Sequence, residues 1–412
     1  MPVEFISAIN VNPSNEVNGL SDPAIDVAYL RRYARVLEDG GFDYSLVPYG
    51  SAGHDPFTIA AAFTQVTEHL RPIVALRPNT LYPTVAAKAL ATLDQLSGGR
   101  AVVHLIAGGN DVEQAREGDR LPKAERYARQ EEFLRILRRV WTETEPFDHA
   151  GTYYSFEGFV SRVRPVNGTI PISVGGSSDE AYAQGGALAD IFGLWGEPLK
   201  DTAEQIERIA AAARAVGRTD TPRTWVTFRP IIAPTEELAW EKAERTLQVL
   251  QSRGGSGAGQ PLGSRGGLWV QTPGAGGPQN RGSQRLLEIA ARGDRHDRAL
   301  WTPTASATGA QGASTALVGT PETVAAAILD YVDLGADLIS IRGYDNLNDA
   351  IDYGRYVLPL VREELVHREA TGRRGEVVAQ PPLPGQEAPT GADGEARGAA
   401  LAGDDALVGA SA

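Results

Sequence analysis

The chain has 412 residues, of which 42% are hydrophobic and 22% charged, and its formal net charge is −13 at pH 7. This composition is typical of a globular protein, and an acidic balance without a dense Lys/Arg stripe argues against binding to nucleic acid or to an anionic membrane. The chain contains no cysteine, which excludes disulfides, thiolate metal sites and a cysteine nucleophile.

The N-terminal sequence MPVEFISAINVNP lacks the charged stretch and apolar core of a secretory signal. No apolar run approaches the ~20 residues that cross a bilayer. We therefore expect a cytoplasmic protein with no membrane partner.

Short apolar runs alternate with segments of helical periodicity along most of the chain. The runs predict strands over residues 3–10, 43–48, 71–77, 101–107, 171–175, 189–195, 224–233 and 338–342. Each run is followed by helical sequence, which predicts parallel strands joined by right-handed crossovers. Eight such units predict an α/β fold, a (β/α)8 TIM barrel. A doubly wound open sheet is the alternative.

Capping residues mark where several predicted helices begin. Asp22 precedes a helix over residues 24–38, Asp55 precedes one that reaches about residue 67, and Thr320 precedes the helix before the last strand. Residues 153–163 suggest a small β excursion outside the barrel.

Two segments depart from this alternation. Residues 252–282 are rich in glycine and broken by proline, so we assign 252–315 to a mobile lid or insertion. Residues 366–412 lack periodic large apolar residues, so we expect a disordered low-complexity tail. The predicted barrel domain is 1–365.

The fifth predicted strand ends in an unusual corner. Gly175 and Gly176 close the strand, and Ser177 and Ser178 open a helix. Such a corner presents unpaired N–H groups and hydroxyls at the positive end of a helix dipole, where a phosphate can bind. The alternative is a capping box formed by Ser177 and Glu180, which closes the helix without a ligand.

Further candidates lie at the ends of the predicted strands, where barrel enzymes carry their chemistry. They are Asn10, Tyr49, His54, Arg77, Asn79, His104, Trp195, Arg229 and Tyr344. A buried arginine needs an anionic partner, which favours ligand contact at Arg229. His104 is equally explained as an interior histidine, His54 as a solvated loop residue, and Tyr344 as a turn aromatic.

Other chemistries lack their sequence signals. The six histidines show neither H-x₃-H nor H-E-x-x-H spacing, so no metal site is predicted. No G-x-S-x-G elbow, Walker A motif or G-x-G-x-x-G turn follows a strand.

Several motifs occur together and in order, and in combination they are specific. They are ALRP (75–78), YPTVAAKALATLDQLSGGRAVVHLIAGG (82–109), ERY (125–127), VGGSSDEA (174–181), WGEP (195–198), STALVGTPETVA (314–325) and GYDNLNDA (343–350). Over residues 3–365 the chain resembles the alkanesulfonate monooxygenases, a subgroup of the bacterial luciferase-like flavin monooxygenases.

The resemblance implies a barrel with a mobile loop that uses FMN in its reduced form, FMNH2. A separate NAD(P)H-dependent flavin reductase supplies the cofactor. O2, the cosubstrate, adds at the flavin C4a position, and the resulting (hydro)peroxide oxygenates a small-molecule substrate. Relatives commonly form homo-oligomers, so a dimer or tetramer is expected.

The resemblance also assigns residues. It places the FMN phosphate at Tyr127, Gly175, Gly176 and Ser177, although Tyr127 is equally explained by helix packing. His104 and Trp195 are assigned to the cofactor site, with His104 beside the flavin ring. Arg229 and Tyr344 match residues that contact substrate and the oxygenated flavin, and His54 and Tyr344 are candidates to exchange a proton with the distal oxygen.

The chain departs from the alkanesulfonate enzymes at four positions. Gly53 replaces their active-site cysteine, Ile231 and Asn346 replace two histidines, and Ala310 replaces a lid arginine. A less cationic pocket suits a carbonyl, aromatic or organosulfur substrate better than a sulfonate. Two alternatives stay open, namely a deazaflavin (F420)-dependent oxidoreductase that transfers hydride and a non-catalytic flavin-binding protein.

Overall fold

Eight parallel strands close a barrel in sequence order. The computed structural model describes residues 3–15, 17, 24–254, 278–310 and 315–371. The strands are β1 (Glu4–Ala8), β2 (Tyr44–Val47), β3 (Arg71–Leu76), β4 (Val102–Leu105), β5 (Ile172–Gly175), β6 (Ile191–Trp195), β7 (Arg223–Phe228) and β8 (Ala336–Ile341). Each pairs with its sequence neighbours, and β8 pairs with β1. The predicted (β/α)8 barrel is confirmed, and the open-sheet alternative is wrong.

Helices surround the barrel and cover its ends. They are α1 (Val27–Asp39), α2 (Pro56–Thr64), α3 (Pro83–Leu96), α4 (Asp111–Arg116), α5 (Lys123–Thr142), α6 (Asp179–Leu188), α7 (Leu199–Ala215), α8 (Glu236–Gly254), α9 (Arg281–Ala290), α10 (Pro303–Ala307), α11 (Pro321–Asp333), α12 (Asn346–Asp352) and α13 (Leu358–Thr371). A π-helical turn, Tyr353–Val357, joins the last two.

Two small sheets lie outside the barrel. The predicted β excursion is an antiparallel hairpin of Phe147–Ala150 with Ser155–Phe159. Within the described residues, the other sheet has four short strands. Ile231–Ile232 pairs with Ala316–Gly319, Ala316–Gly319 pairs with Leu300–Trp301, and Leu300–Trp301 pairs with Arg295–His296. The described part of the predicted insertion therefore contains regular structure.

Local signals explain most helix boundaries. Asp55 caps α2 by accepting the Thr58 N–H at 2.8 Å. The first helix begins at Val27 with Asp26 as its cap, whereas the predicted cap Asp22 lies outside the described residues. The last helix continues to Thr371, past the predicted domain end at 365, and residues 372–412 of the predicted tail also lie outside the described part.

Alternate side chains of the strands fill the barrel interior, as the two-residue period of a strand requires. They form an apolar cluster of Ile6, Tyr44, Leu46, Ile73, Ala75, Val102, Ile191, Trp225 and Leu338. Polar groups close the N-terminal end, where Glu4 binds Arg71 at 3.1 Å and Arg223 at 2.5 Å. The C-terminal end is left to carry the candidate site.

Candidate active site

The glycine–serine corner joins the end of β5 to the start of α6. Ser178 is the N-cap residue, and its Oγ accepts the Ala181 N–H at 3.4 Å. The alternative in which Ser177 forms a capping box is therefore wrong, because Ser178 is the residue that caps the helix. The Ser177 Oγ instead donates to the Gln205 Oε1 at 3.2 Å.

Gly176 brings the corner close to the Tyr127 side chain. Its φ is +136°, and a Cβ there would lie 3.0 Å from the Ala181 Cβ and 3.3 Å from the Tyr127 hydroxyl oxygen. Tyr127 hydrogen-bonds with Ser178, and burial raises its pKa. The predicted phosphate residues thus lie together, with hydroxyl groups around the first turn of α6.

A buried glutamine supports this corner from α7. Gln205 is 1% exposed, and its Oε1 also accepts from the Tyr182 hydroxyl at 2.7 Å. Its Nε2 makes no hydrogen bond within the described part of the chain. Sequence reasoning missed this residue, because an isolated glutamine on a helix carries no motif.

His104 lies on β4 beside the corner. A Cβ on Gly175 would be 3.4 Å from the His104 Cε1, and the His104 Nδ1 lies 2.9 Å from the Ser173 Oγ. The ring centroid is 5.4 Å from that of Trp225. Burial lowers the pKa of His104 from 6.5 to about 4, so the imidazole is neutral near pH 7.

Arg229 and Tyr344 form a unit at the ends of β7 and β8. Arg229 is 2% exposed, and its Nη2 donates to the Gly343 carbonyl at 2.9 Å. Its guanidinium carbon lies 3.7 Å from the centroid of the Tyr344 ring, a cation–π geometry. The Tyr344 N–H donates to Asp349 at 2.8 Å, which fixes the backbone of the turn. The structure therefore joins these two predicted residues directly.

His54 is placed differently from the other candidates. It lies in the turn before α2 and is partly exposed. Its side chain makes no hydrogen bond or ion pair with any residue that the structure describes. The role of His54 therefore stays a prediction.

A charged cluster follows β3. Arg77 binds Glu113 at 2.8 Å and Glu117 at 3.1 Å, and its guanidinium carbon lies 5.0 Å from the centroid of the Tyr49 ring. Tyr49 also donates to Glu117. The strand-end rule predicts Arg77 and Tyr49 as site residues. No sequence signal connects them to Glu113 on the short helix α4 or to Glu117 directly after it.

Trp195 ends β6 and contacts the described part of the insertion. It packs against a cluster of Leu286, Ile289, Ala305 and Ala310. Among the residues that the structure describes, no group of three or more His, Asp or Glu side chains is arranged to hold a metal ion. Within the same ranges, no helix is long and apolar enough to span a membrane.

A closed barrel with buried polar groups at its C-terminal end and a hydroxyl-lined helix N-terminus has the layout of a barrel enzyme that takes a phosphorylated ligand. The chain belongs to the luciferase-like monooxygenase family, whose model matches residues 7–338. The predicted family is thereby confirmed, while its alkanesulfonate subgroup stays a prediction.

Solved structures share the fold. The riboflavin lyase RcaE, solved with a modified FMN and its substrate riboflavin, is 22% identical over 89% of this chain and 92% of that one, with a TM-score of 0.71. The EDTA monooxygenase EmoA from Chelativorans sp. BNC1 is 19% identical over 88% and 94%, with a TM-score of 0.69. An F420-dependent secondary alcohol dehydrogenase is 14% identical over 88% and 100%, with a TM-score of 0.63. The choice of flavin must therefore be argued from the site.

Proposed function

We propose that this protein is the oxygenating component of a two-component monooxygenase. It takes reduced FMN from a separate NAD(P)H-dependent flavin reductase and uses O2 to oxygenate a small organic substrate. The observation that carries this proposal is the corner at the start of α6, where the hydroxyls of Ser177 and Tyr127 lie at the N-terminal end of the helix. These groups suit the terminal phosphate of FMN.

The residues beside the corner suit the flavin ring. When bound, reduced flavin supplies the electrons that activate O2. His104 is neutral and tied to the Ser173 Oγ at 2.9 Å, so it can orient the ring without adding charge. Trp195 lies at the end of the neighbouring strand β6, and in this proposal its indole borders the flavin.

Arg229 and Tyr344 supply polar groups for the reaction. Arg229 is buried and held by the Gly343 carbonyl and the Tyr344 ring, so its positive charge is in place before a substrate binds. A fixed cation stabilises negative charge that develops on oxygen or substrate. In this proposal Tyr344, with His54 as an alternative, exchanges the proton.

Charge around the mouth of the barrel favours a weakly anionic or neutral substrate. Two carboxylates, Glu113 and Glu117, already bind Arg77. Ile231 is 1% exposed and packs in the same apolar cluster as Tyr344. These surroundings support a carbonyl, aromatic or organosulfur compound over an alkanesulfonate, because a sulfonate needs several charge-assisted hydrogen bonds.

One experiment separates oxygenation from hydride transfer. The protein is loaded anaerobically with photoreduced FMN and mixed with air-saturated buffer in a stopped-flow spectrometer. We expect a transient near-ultraviolet absorbance before oxidised flavin forms. Immediate reoxidation with stoichiometric release of peroxide would contradict the oxygenase. The F420 alternative, raised by the shared fold of the alcohol dehydrogenase, predicts anaerobic oxidation of reduced F420 by a carbonyl compound instead.

A second experiment tests the phosphate assignment. The double variant Ser177→Ala/Tyr127→Phe removes two hydroxyls and leaves the backbone of the corner in place. We expect FMN to bind at least about a hundredfold more weakly, since each of the two lost hydrogen bonds to a charged group costs about 1.5–3 kcal/mol. Riboflavin, which lacks the phosphate, should bind as it does to the unmodified protein. An equal loss for both flavins would show that the phosphate lies elsewhere.

A further inference from the structure

The described part of the insertion brings a second helix to the same corner. The helix α9 begins beside Ser177, since a Cβ on Gly282 would lie 3.5 Å from the Ser177 Oγ and 2.8 Å from the Trp195 Cζ3. We propose that the first turn of α9 is part of the flavin phosphate site, so that phosphate binding and the docking of α9 are energetically coupled. The inference rests on the proposed function, because it takes FMN as the ligand.

The first turn of α9 has the groups that an anion requires. Asn280 caps the helix by accepting the Ser283 N–H at 2.7 Å. The N–H groups of Arg281 and Gly282 have no acceptor within the helix, as at any helix start. Gly282 is buried, so these N–H groups lie at a helix start that is partly shielded from water. The positive end of the helix dipole therefore adds to that of α6.

An independent observation indicates a ligand at this position. The Gln205 amide contacts the Ser177 hydroxyl through its Oε1, and its Nε2 makes no hydrogen bond within the described residues. The residue is 1% exposed. A buried donor without an acceptor is costly, and a phosphate oxygen at the corner would satisfy it.

An ion pair fixes α9 in this position. Arg285 binds Glu197 through its Nε at 2.9 Å and its Nη2 at 2.6 Å, and Glu197 is 1% exposed. Glu197 follows Trp195 at the end of β6, so the pair ties the insertion directly to the barrel. Because its guanidinium is engaged by Glu197, Arg285 acts as a positioning residue.

A second contact holds the segment that leads into α9. The Gln279 Oε1 accepts the Asp111 N–H at 2.9 Å, so this segment bridges from α4 to the corner. Coupling between two sites is reciprocal. If α9 contributes to phosphate affinity, then FMN must stabilise the docked helix by the same factor, and riboflavin must not.

Flavin titrations test the inference with a matched control. Arg285→Gln removes the cation from the buried Glu197, whereas Arg292→Gln breaks a more exposed pair with Asp201, 2.9 Å long, near the end of the same helix. We expect Arg285→Gln to weaken FMN by about tenfold and to leave riboflavin within about twofold. The Arg292→Gln control should bind both flavins normally.

Hydrogen exchange provides a readout that does not depend on activity. Amide exchange over residues 281–290 should slow more with FMN than with riboflavin, relative to the reference helix α1. Arg285→Gln should abolish this difference. Equal protection by the two flavins, or unchanged FMN affinity in Arg285→Gln, would overturn the inference.

Two further variants distinguish loss of folding, failure of the phosphate site and failure of the role of α9. If Arg285→Gln alone does not fold, Glu197→Gln/Arg285→Gln removes both charges and leaves no lone buried carboxylate. It should show the same selective loss of FMN affinity, and normal FMN binding would overturn the inference. If unmodified protein binds FMN no better than riboflavin, the phosphate site itself is wrong. If Ser177→Ala removes the FMN preference while Arg285→Gln retains it, only the role of α9 is wrong.

Discussion

Replacing His104 with asparagine should change how the stability of the protein depends on pH. His104 lies between the corner and Trp225, and desolvation lowers its pKa from 6.5 to about 4. Asparagine can still hydrogen-bond to the Ser173 Oγ, but it does not titrate. Comparing the variant with the unmodified protein therefore gives the contribution of His104 protonation to the unfolding free energy.

Proton linkage gives the direction and the magnitude of the expected change in unfolding free energy. Below about pH 6.5 the unfolded chain binds a proton at this histidine, whereas the folded protein binds it only near pH 4. The unfolding free energy of unmodified protein should therefore be unaffected by His104 above about pH 6.5 and should fall as the pH drops toward 4. Each tenfold change in proton affinity is worth about 1.4 kcal/mol, so the full contribution is about 3 kcal/mol.

Urea unfolding at a series of pH values measures this difference. The two proteins should diverge in pH dependence between about pH 6.5 and about pH 4, with the asparagine variant losing less stability. His367→Asn, at an exposed position on α13, serves as control and should retain the slope of the unmodified protein. Parallel pH profiles for His104→Asn and unmodified protein would refute a lowered pKa for His104 in the folded state.

Three further predictions concern packing, the far end of the barrel and chemistry. Gly185→Ala should lower the unfolding free energy by about 1–3 kcal/mol in thermal denaturation, because the new Cβ would lie 2.1 Å from the Phe192 Cδ2; an unchanged melting temperature would contradict this packing. Glu4→Gln should cost about 1 kcal/mol by leaving Arg223 without its carboxylate, while FMN affinity stays unchanged in titration. Arg229→Ala should retain FMN affinity but lose product formation, and normal turnover would reject its role.

The architecture of this protein follows from local patterns in its sequence. Each of its eight apolar runs overlaps a barrel strand, because the two-residue and 3.6-residue periods are properties of adjacent residues. The predicted strand over residues 224–233 is too long, since the barrel strand ends at Phe228 and Ile231–Ile232 pairs outside the barrel. The helix α2 begins after Asp55 as predicted, since a capping side chain and the proline that follows it act locally. The corner from Gly175 to Ser177 was visible for the same reason.

The surroundings of that corner depend on contacts between residues that are distant in sequence. Gln205 meets Ser177 across 28 positions of sequence, and Arg285 meets Glu197 across 88. Neither pair leaves a local pattern, because each contact exists only after the chain has closed the barrel. The pKa of His104 also depends on burial by distant strands. Local periodicity therefore specifies the strands and helices, whereas chain closure specifies which polar groups share a buried site.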